Sequence, residues 1–303
     1  MQENRFAAVW AAFAADALAL GAHWVYDPDQ IQSTYGRVEQ YVSPGPGSFH
    51  TRRQAGEFTH YGDQMRILLA SLAETGDFDA EDFGRRWRKT MSAYDGYMDK
   101  ATKTTLANLD AGQTGPDAAS ASADLGGPAR MAPLALRHPD DSDALAAAAR
   151  AQTALTHGSS DALTAAEFLA RTTVTVLGGT EPVPAMRQVA AMEAFQATRL
   201  PDWVELGVAA ADQDSVSAIG HFGRACETVM AFPGAVQLIT RYPQNLREAL
   251  IQSVMAGGDS ASRGMMVGLI LGAHLGVTAI PPEWIEGLTH RKVIEADIRK
   301  LAG

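Results

Sequence analysis

Gly257-Gly258-Asp259-Ser260-Ala261-Ser262-Arg263-Gly264 leads directly into an apolar run at residues 265–276. Two glycines before Asp-Ser predict a tight loop that presents a carboxylate and a hydroxyl at the first turn of a helix. The free N–H groups and partial positive charge at such a helix end favour an anion or another polar ligand. We therefore expect Asp259 and Ser260 to lie at a functional site.

Glycine recurs at every fourth position of this helix, at residues 264, 268, 272 and 276. The spacing places these positions on roughly one helix face. Each glycine inside a helix costs about 1 kcal/mol relative to alanine, so another interaction must compensate for the loss. We expect a second helix to approach closely along this face.

The composition is typical of a globular protein with one large core. The chain has 303 residues, of which 46% are hydrophobic and 20% are charged. It contains no Pro/Ser-rich linker and no internal repeat, which predicts a single domain over residues 1–303. The formal net charge of −10 argues against nonspecific nucleic-acid binding, because no surplus of Lys and Arg is present to neutralise phosphates. A nucleotide-sized ligand remains compatible with this charge, because local loops can hold phosphate.

Cysteine usage and hydropathy predict a cytoplasmic protein. Cys226 is the sole cysteine, so no intrachain disulfide can form, and its surroundings predict a packed thiol rather than a nucleophile. The N-terminal sequence lacks the charged head and cleavage site of a signal peptide. The longest apolar run, residues 265–280, contains His274 and is shorter than the ~20 residues of a membrane span. We expect no membrane partner.

Helical periodicity dominates the chain and no strand alternation is seen, which predicts an all-α fold. The first predicted helix is apolar on most faces and carries Asp16 in its middle, where a carboxylate must be paired or hydrogen-bonded. Asp16 is therefore either an acceptor for a neighbouring loop or a site residue. Apolar spacing predicts helices over residues 6–24, 83–94, 102–109, 142–154, 163–177, 218–230, 234–240 and 246–255, another that begins near residue 60, and two short closing helices.

Two segments bring titratable groups to helix ends. The first helix runs into Gly21-Ala22-His23-Trp24-Val25-Tyr26-Asp27-Pro28, where aromatic and ionisable side chains crowd together. Residues 43–57 form a loop rich in Gly and Pro that leads into Thr59, His60 and Asp63. Helical spacing places Asp63 on one side with Thr59 or His60. Asp63 is then either a site residue or only a complement to the helix dipole.

A second glycine-rich stretch ends in Gly126-Gly127-Pro128-Ala129-Arg130-Met131-Ala132-Pro133. Small residues, free N–H groups and one Arg form a candidate cradle for a diphosphate. In the alternative, Arg130 is only solvated or ion-paired. Thr156-His157-Gly158 closes another predicted helix, where His157 either lines a site or merely favours the helix C-terminus.

The order of these segments resembles that of the ADP-ribosylglycohydrolase family, the all-α hydrolases that include dinitrogenase-reductase-activating glycohydrolase. It is especially similar to the branch of jellyfish J1 crystallins. The resemblance covers nearly the whole chain and implies a single compact multi-helix domain of that fold. It is carried by Ala15-Asp16-Ala17-Leu18 with Gly21, by residues 56–65 and 127–134, by Thr156-His157, and by residues 257–276 with Ile280-Pro281.

The resemblance implies cleavage of an N- or O-glycosidic bond at the ribose of ADP-ribose, with two magnesium or manganese ions that grip the ribose hydroxyls and a water. The family takes its metal ligands from a Thr-Asp-Asp-Thr run after the first long loop. It takes the others from a Gly-Gly-Asp-Thr-Asp-Thr run before the glycine-faced helix. In this chain the first run becomes His60-Tyr61-Gly62-Asp63, or keeps Thr59 if the register shifts by one. In the second run Asp259 is kept and Ala261 replaces an aspartate.

This reduced ligand set predicts a reduced or absent metal site. Asp63 and Asp259 are too few carboxylates for two ions, although one magnesium or manganese ion remains feasible with added hydroxyls and waters. Without metal, His23, His60 and Asp63 are candidates for acid–base chemistry. The possible metal ligands are Thr59, Asp63, Asp259 and Ser262.

The leading hypothesis is a hydrolase that cleaves the glycosidic bond of an ADP-ribosyl group or of another ribosylated substrate. The alternative is a non-catalytic ligand-binding or structural, crystallin-like protein on the same fold. The expected partner is a small-molecule or ADP-ribosylated substrate, and the oligomeric state is open. The predicted catalytic residues are His23, His60, Asp63 and Asp259. The predicted ligand-binding residues are Asp27, Ser122, Gly126, Gly127, His157 and Ser260.

Overall fold

Helices account for the regular structure of residues 2–302, the part of the chain that this computed structural model describes. Within those residues no strand forms, and isolated bridges join Ser120 to His157 and Asp124 to Glu227. The prediction of an all-α fold is confirmed. The α-helices are α1 (Gln2–Ala19), α2 (Pro28–Tyr35), α3 (His60–Thr75), α4 (Ala80–Ser92), α5 (Lys100–Asp110), α6 (Gly126–Ala129), α7 (Ser142–Ala154), α8 (Ser160–Leu177), α9 (Pro182–Ala190), α10 (Glu193–Gln196), α11 (Leu200–Ala209), α12 (Ser215–Phe222), α13 (Thr228–Arg241), α14 (Leu246–Met255), α15 (Ser260–Leu275), α16 (Pro282–Gly287) and α17 (Arg291–Ala302). Short 3-10 helices occur at Leu20–Ala22, Gly115–Ala118, Ala132–Leu136 and Val277–Ala279.

The centre of the molecule is the pair formed by α1 and α15, which pack on each other more extensively than any other two helices. A Cβ atom at Gly268 would lie 2.6 Å from the carbonyl oxygen of Ala11, and one at Gly272 would lie 2.7 Å from that of Ala7. Any side chain at these positions would therefore push the helices apart. The expected close approach along the glycine face is present, and the partner is the alanine-rich first helix.

The remaining helices surround this pair. Helices α8, α13 and α14 pack against α15, and α3 packs against α1, α4 and α17. The buried hydrophobic residues form one cluster that extends from α1 to α17. One segment of the described chain, Glu3–Ala22, is long and apolar enough for a membrane span, but 89% of its most apolar 18-residue window is buried inside the protein. It is the core helix α1 with the 3-10 turn that follows.

The predicted ranges 6–24, 218–230 and 234–240 differ most from the structure, in which residues 234–240 are only the second half of α13. The helix predicted over residues 218–230 is interrupted, because Gly223 adopts φ +108° and α12 ends before it while α13 begins only at Thr228. The first helix ends at Ala19, continues as a 3-10 turn, and gives way to Trp24, whose φ is +64°. Each break contains a residue with positive φ, Gly223 or Trp24. Apolar periodicity does not reveal such a residue.

Asp16 joins α1 to the start of α3. Its carboxylate accepts hydrogen bonds from the Thr59 backbone N–H (2.8 Å), the Thr59 hydroxyl (2.6 Å) and the Gly62 N–H (3.1 Å). The two N–H donors are among the groups that a helix start leaves without partners. Of the two interpretations of Asp16, the structure therefore supports the acceptor, and this contact sets where His60 enters the core.

Candidate functional site

Three histidines meet where the end of α1, the loop before α3 and the start of α3 converge. His23, His50 and His60 are almost completely buried, and one ring nitrogen from each lies within 4.8 Å of the others. The closest pair is His50 Nε2 and His60 Nδ1, at 3.3 Å. The structure thus brings together His23 and His60, both of which the sequence analysis named as catalytic candidates. It adds His50, which the sequence analysis did not name.

The double glycine anchors the end of the first helix beside this cluster. The Trp24 N–H donates to the Gly258 carbonyl (2.9 Å), and the Gly258 N–H donates to the Val25 carbonyl (2.8 Å). Gly257 and Gly258 have φ of +75° and +69°, and a Cβ at Gly258 would lie 2.1 Å from the Arg224 carbonyl oxygen. Glycine is required here by both conformation and space. Among residues 2–302, Trp24 is the non-glycine residue with positive φ, a strain of about 1–3 kcal/mol that is typical of functional sites.

Asp259 caps α15, as the Gly-Gly-Asp-Ser motif predicts. Its carboxylate accepts from the Ser262 N–H (3.1 Å) and the Ser262 hydroxyl (2.7 Å), and Asp259 Oδ1 lies 3.8 Å from His23 Nδ1. Burial raises the pKa of Asp259, although the bonds from Ser262 act in the opposite direction. The neighbouring Ser260 hydroxyl is buried without a protein partner.

Asp99 supports the cluster from the start of α5. It accepts from the Thr102 N–H at 2.7 Å, and its Oδ2 atom lies 3.4 Å from His60 Nε2. Burial opposes the charge of Asp99, but His60 and His157 outweigh it and hold the pKa of this carboxyl below its usual range. The sequence analysis missed Asp99 and His50. Asp99 leaves only a capping signal, and His50 is a lone histidine in a glycine-rich loop.

Tyr61 and His157 each pack against one glycine of α6. The Tyr61 ring packs on His60 with centroids 3.9 Å apart, and its hydroxyl has no protein partner. A Cβ at Gly126 would lie 2.2 Å from the Tyr61 ring, and one at Gly127 would lie 2.6 Å from the His157 ring. These glycines are thus required for close ring packing, which differs from the phosphate-cradle interpretation of the sequence.

The contacts of Arg130 also disagree with the phosphate-cradle interpretation. Its side chain is buried and donates to Gln64 Oε1 (2.6 Å), Gln152 Oε1 (2.9 Å) and the Thr156 hydroxyl (2.7 Å). Its hydrogen-bonding capacity is therefore used inside the protein and not offered to a diphosphate. Ser122, which is partly buried, uses its hydroxyl to accept from the Asp124 N–H at 3.1 Å.

Asp63 lies in a different environment from Asp259. Its carboxylate contacts Arg53 (3.2 Å), Arg66 (3.3 Å) and the Tyr94 hydroxyl (2.7 Å). It lines a separate cavity of about 500 Å³ with those side chains. Two guanidinium groups neutralise this carboxylate, so the contacts do not agree with Asp63 and Asp259 holding one ion together.

The other predicted metal ligands, Thr59 and Ser262, do not fit a pair of hard cations either. The Thr59 hydroxyl donates to Asp16 and accepts from the Tyr61 N–H, while the Ser262 hydroxyl donates to Asp259. Ala261 carries no ligand atom. Magnesium and manganese prefer several oxygen ligands, whereas the side chains collected here offer mainly imidazole nitrogen.

An aromatic group covers the cluster on the solvent side. The Trp24 ring stacks on His23 with centroids 4.5 Å apart and packs edge-on against Phe49 (5.3 Å) and Tyr97 (5.0 Å). A cavity of about 620 Å³ opens beside it, lined in part by His23, Trp24, Asp27 and Phe49. Asp27 caps α2 by accepting from the Asp29 N–H and is exposed at this cavity. The volume of this cavity is in the range of small-molecule sites.

Burial favours the neutral form of the histidines and of the cysteine in this region. Burial lowers the pKa of His50 to about 3, with His60 and Arg53 adding to the effect. Burial and Arg130 lower the pKa of His157 to about 3, and burial lowers that of His23 well below its usual value. Burial and the Asp259 and Asp124 carboxylates raise the pKa of the Cys226 thiol, so it is poorly suited as a nucleophile.

Comparisons with known proteins match the chain over almost its full length. A sequence model of the ADP-ribosylglycohydrolase family matches residues 2–303. An uncharacterized protein of Archaeoglobus fulgidus is 26% identical over 275 residues, which are 90% of this chain and 88% of that protein. A solved structure described as an ADP-ribosylglycohydrolase-related protein complex is similar with a TM-score of 0.74 and 25% identity, covering 99% of this chain and 97% of that chain.

Proposed function

Because the chain belongs to the ADP-ribosylglycohydrolase family, we propose that it hydrolyses the glycosidic bond of an ADP-ribosyl group or of another ribosylated small molecule. Family and fold support a glycohydrolase-type function. The substrate is the proposed part, and so are a cytoplasmic location and the similarity to the J1-crystallin branch.

The observation that carries the proposal is a set of buried polar atoms without protein partners, at the starts of α3 and α15 and in the segments that follow α1 and α7. They are both ring nitrogens of His23, the Tyr61 hydroxyl, the Ser260 hydroxyl and His157 Nε2. Each such atom costs about 1–3 kcal/mol unless it gains a hydrogen bond. A sugar with several hydroxyl groups satisfies many donors and acceptors at once, which favours a ribose over an apolar ligand.

In the proposed reaction, water attacks the anomeric carbon while the bond to the leaving nitrogen or oxygen breaks, and the proton that the water releases ends on that leaving atom. Asp259 accepts the proton from the attacking water, because its raised pKa brings a carboxylate closer to the pH range of a general base. Ser260 and Tyr61 bind ribose hydroxyls, and His157 binds the remaining polar part. The proton-carrying role predicted for His23 and His60 stays a prediction.

The aromatic group beside the cavity suits a flat part of the substrate. Phe49 is 56% exposed and Tyr26 is 50% exposed, and Phe49 packs against Trp24 and Tyr97. Exposed aromatic rings at the mouth of a polar site offer a surface on which a nucleobase can stack, a contact worth about 1–3 kcal/mol. This feature favours a nucleotide-containing ribosyl substrate over a simple ribosyl compound.

The first prediction tests Asp259 by turnover. The substrates are N-linked and O-linked ADP-ribosyl peptides and a ribosylated small molecule without diphosphate, each supplied in turn with magnesium, manganese or zinc. Asp259→Asn keeps the cap on α15, because Asn caps helices as well as Asp. It removes the charge, so we expect turnover to fall about a hundredfold or more while the circular dichroism spectrum is unchanged.

Asp214→Asn is the matched control. Asp214 caps α12 by accepting from the Ser217 N–H at 2.9 Å and is exposed to solvent, so turnover should be unaffected. Full turnover in Asp259→Asn would remove this residue from the chemistry. If the wild-type protein cleaves no substrate and ADP-ribose does not raise its unfolding temperature, the non-catalytic alternative is favoured.

A further inference from the structure

We propose that His23, His50 and His60 form a three-imidazole binding site for a divalent transition metal ion of the zinc class, with a fourth position open to water or a ligand. The inference shares its location with the proposed glycohydrolase site. It concerns metal binding alone, so it can fail or succeed independently of turnover.

The spacing of the nitrogen atoms fits such an ion. Zinc binds imidazole nitrogen at about 2.0–2.1 Å in tetrahedral geometry, which places two ligand nitrogens roughly 3.3–3.4 Å apart. His50 Nε2 and His60 Nδ1 are 3.3 Å apart. The third nitrogen lies within 4.8 Å of the others, so a small rotation of one ring closes the triangle.

The chemistry of the donors separates this ion from magnesium. Imidazole nitrogen suits zinc, copper, nickel and iron, whereas magnesium prefers carboxylate, carbonyl and water oxygen. Two nearby hydroxyls are already in use, since that of Thr59 bonds to Asp16 and that of Ser262 bonds to Asp259. The hydroxyls of Ser260 and Tyr61 have no protein partner, but they are neutral and too few for an ion that prefers several oxygen ligands. The cluster therefore selects a nitrogen-preferring ion.

Carboxylates lie behind two of the three rings, as they do around many metal-binding histidines. Asp99 Oδ2 is 3.4 Å from His60 Nε2. A proton on that nitrogen points toward Asp99 and leaves the lone pair of His60 Nδ1 free to face His50. Asp259 Oδ1 is 3.8 Å from His23 Nδ1. Neither pair is hydrogen-bonded, so these carboxylates act on the cluster through their charge, which favours a cation among the three rings.

A simple histidine–histidine hydrogen bond explains only part of the cluster. It would use one nitrogen of His50 and one of His60, but both nitrogens of His23 are buried without a protein partner, in a side chain that is 1% exposed. Trp24 stacks on His23 and Tyr97 lies 5.7 Å from both other rings. A metal ion would engage all three imidazoles behind this aromatic cover.

The test measures metal binding by the full chain in the absence of substrate. Chelator-treated protein is dialysed against zinc, cobalt(II) or magnesium, and bound metal is determined by elemental analysis. We expect one zinc or cobalt ion per chain, no retained magnesium, the visible absorption of tetrahedral cobalt, and a higher unfolding temperature with zinc.

His50→Ala is the informative variant, because His50 lies in a loop and removal of its ring leaves every helix intact. We expect it to lose affinity for zinc at least tenfold, whereas His221→Ala, which removes an exposed histidine of α12, should bind as the wild type does. If His50→Ala does not fold, His50→Asn replaces it.

Three results would overturn the proposal. They are the absence of stoichiometric zinc or cobalt in the wild-type protein, unchanged zinc affinity in both His50 variants, and magnesium binding as tight as that of zinc. None of them would decide whether the protein cleaves a ribosyl bond, since turnover is measured separately.

Discussion

Two buried aspartates show how the same residue type serves different purposes. Asp16 and Asp259 are both fully buried beside helix starts. Asp16 accepts three hydrogen bonds from the start of α3, whereas Asp259 is bonded only within its own helix and faces His23. Burial raises the pKa of Asp16 to about 7 against the opposing bonds from Thr59. Asp16 is thus structural, and Asp259 is the carboxylate that we propose for chemistry.

Replacement of Asp16 should destabilise the protein strongly. Asp16→Ala leaves the N–H groups of Thr59 and Gly62 and one hydroxyl buried without an acceptor, at about 1–3 kcal/mol each. We expect the free energy of unfolding to fall by about 3–5 kcal/mol in denaturant titrations. Asp214→Ala, which removes an exposed cap, should cost only about 1 kcal/mol. Equal losses in both variants would contradict a special role for Asp16.

At the scale of elements, the contact between α1 and α15 depends on small residues in both helices. Alanines of α1 face glycines of α15, and the closest approaches are to backbone atoms of Ala11 and Ala7. Backbone atoms cannot move aside as a flexible side chain does. Close packing of the two helices at these glycines therefore compensates for the low helix propensity of glycine.

Two glycines of the same face should respond in opposite directions to alanine. A Cβ at Gly268 would lie 2.6 Å from the Ala11 carbonyl oxygen, whereas one at Gly264 has its nearest neighbour at 3.5 Å, an ordinary contact. We expect Gly268→Ala to lose about 2 kcal/mol of unfolding free energy by overpacking. Gly264→Ala should be neutral or gain up to about 1 kcal/mol. A gain in Gly268→Ala would show that the helices can separate without loss.

At the scale of the whole molecule, burial of neutral histidines makes the free energy of unfolding depend on pH. His157 has a pKa of about 3 in the folded protein and about 6.5 when unfolded. Between these values the unfolded chain binds the extra proton, so this group makes stability fall as pH decreases from about 6.5. His50 acts in the same direction, whereas the raised pKa of Asp16 opposes it.

Comparison of His157→Gln with the wild-type protein separates the contribution of His157 from those of the other titrating groups. His157→Gln should reduce the slope of unfolding free energy against pH by up to about 1.4 kcal/mol per pH unit between pH 4 and pH 6. Above pH 7 the slopes of the two proteins should agree. The measurement is denaturant unfolding of chelator-treated protein across this range, with His221→Ala as control. An unchanged slope between pH 4 and pH 6 would mean that His157 is charged when folded.

Much of the fold was predictable because helices are encoded locally. The boundaries of α7 and α14 agree with the predicted ranges 142–154 and 246–255, since apolar periodicity and capping residues act within a few turns. The same holds for Asp259 as a helix cap. Helices α9 and α11 were not predicted, and the break at Gly223 was missed because a glycine inside an apolar pattern is ambiguous.

The sequence by itself determined the all-α class, the family, the glycine face and the Asp259 cap, since each depends on neighbouring residues or on an ordered set of motifs. Only the tertiary structure decided which partners the polar side chains have. It placed Asp63 among arginines, used Arg130 inside the core, packed Gly126 and Gly127 against rings, and joined His50 to His23 and His60. The reason is physical, because a buried polar group is defined by donors and acceptors from distant segments, and their positions are set only when the helices pack.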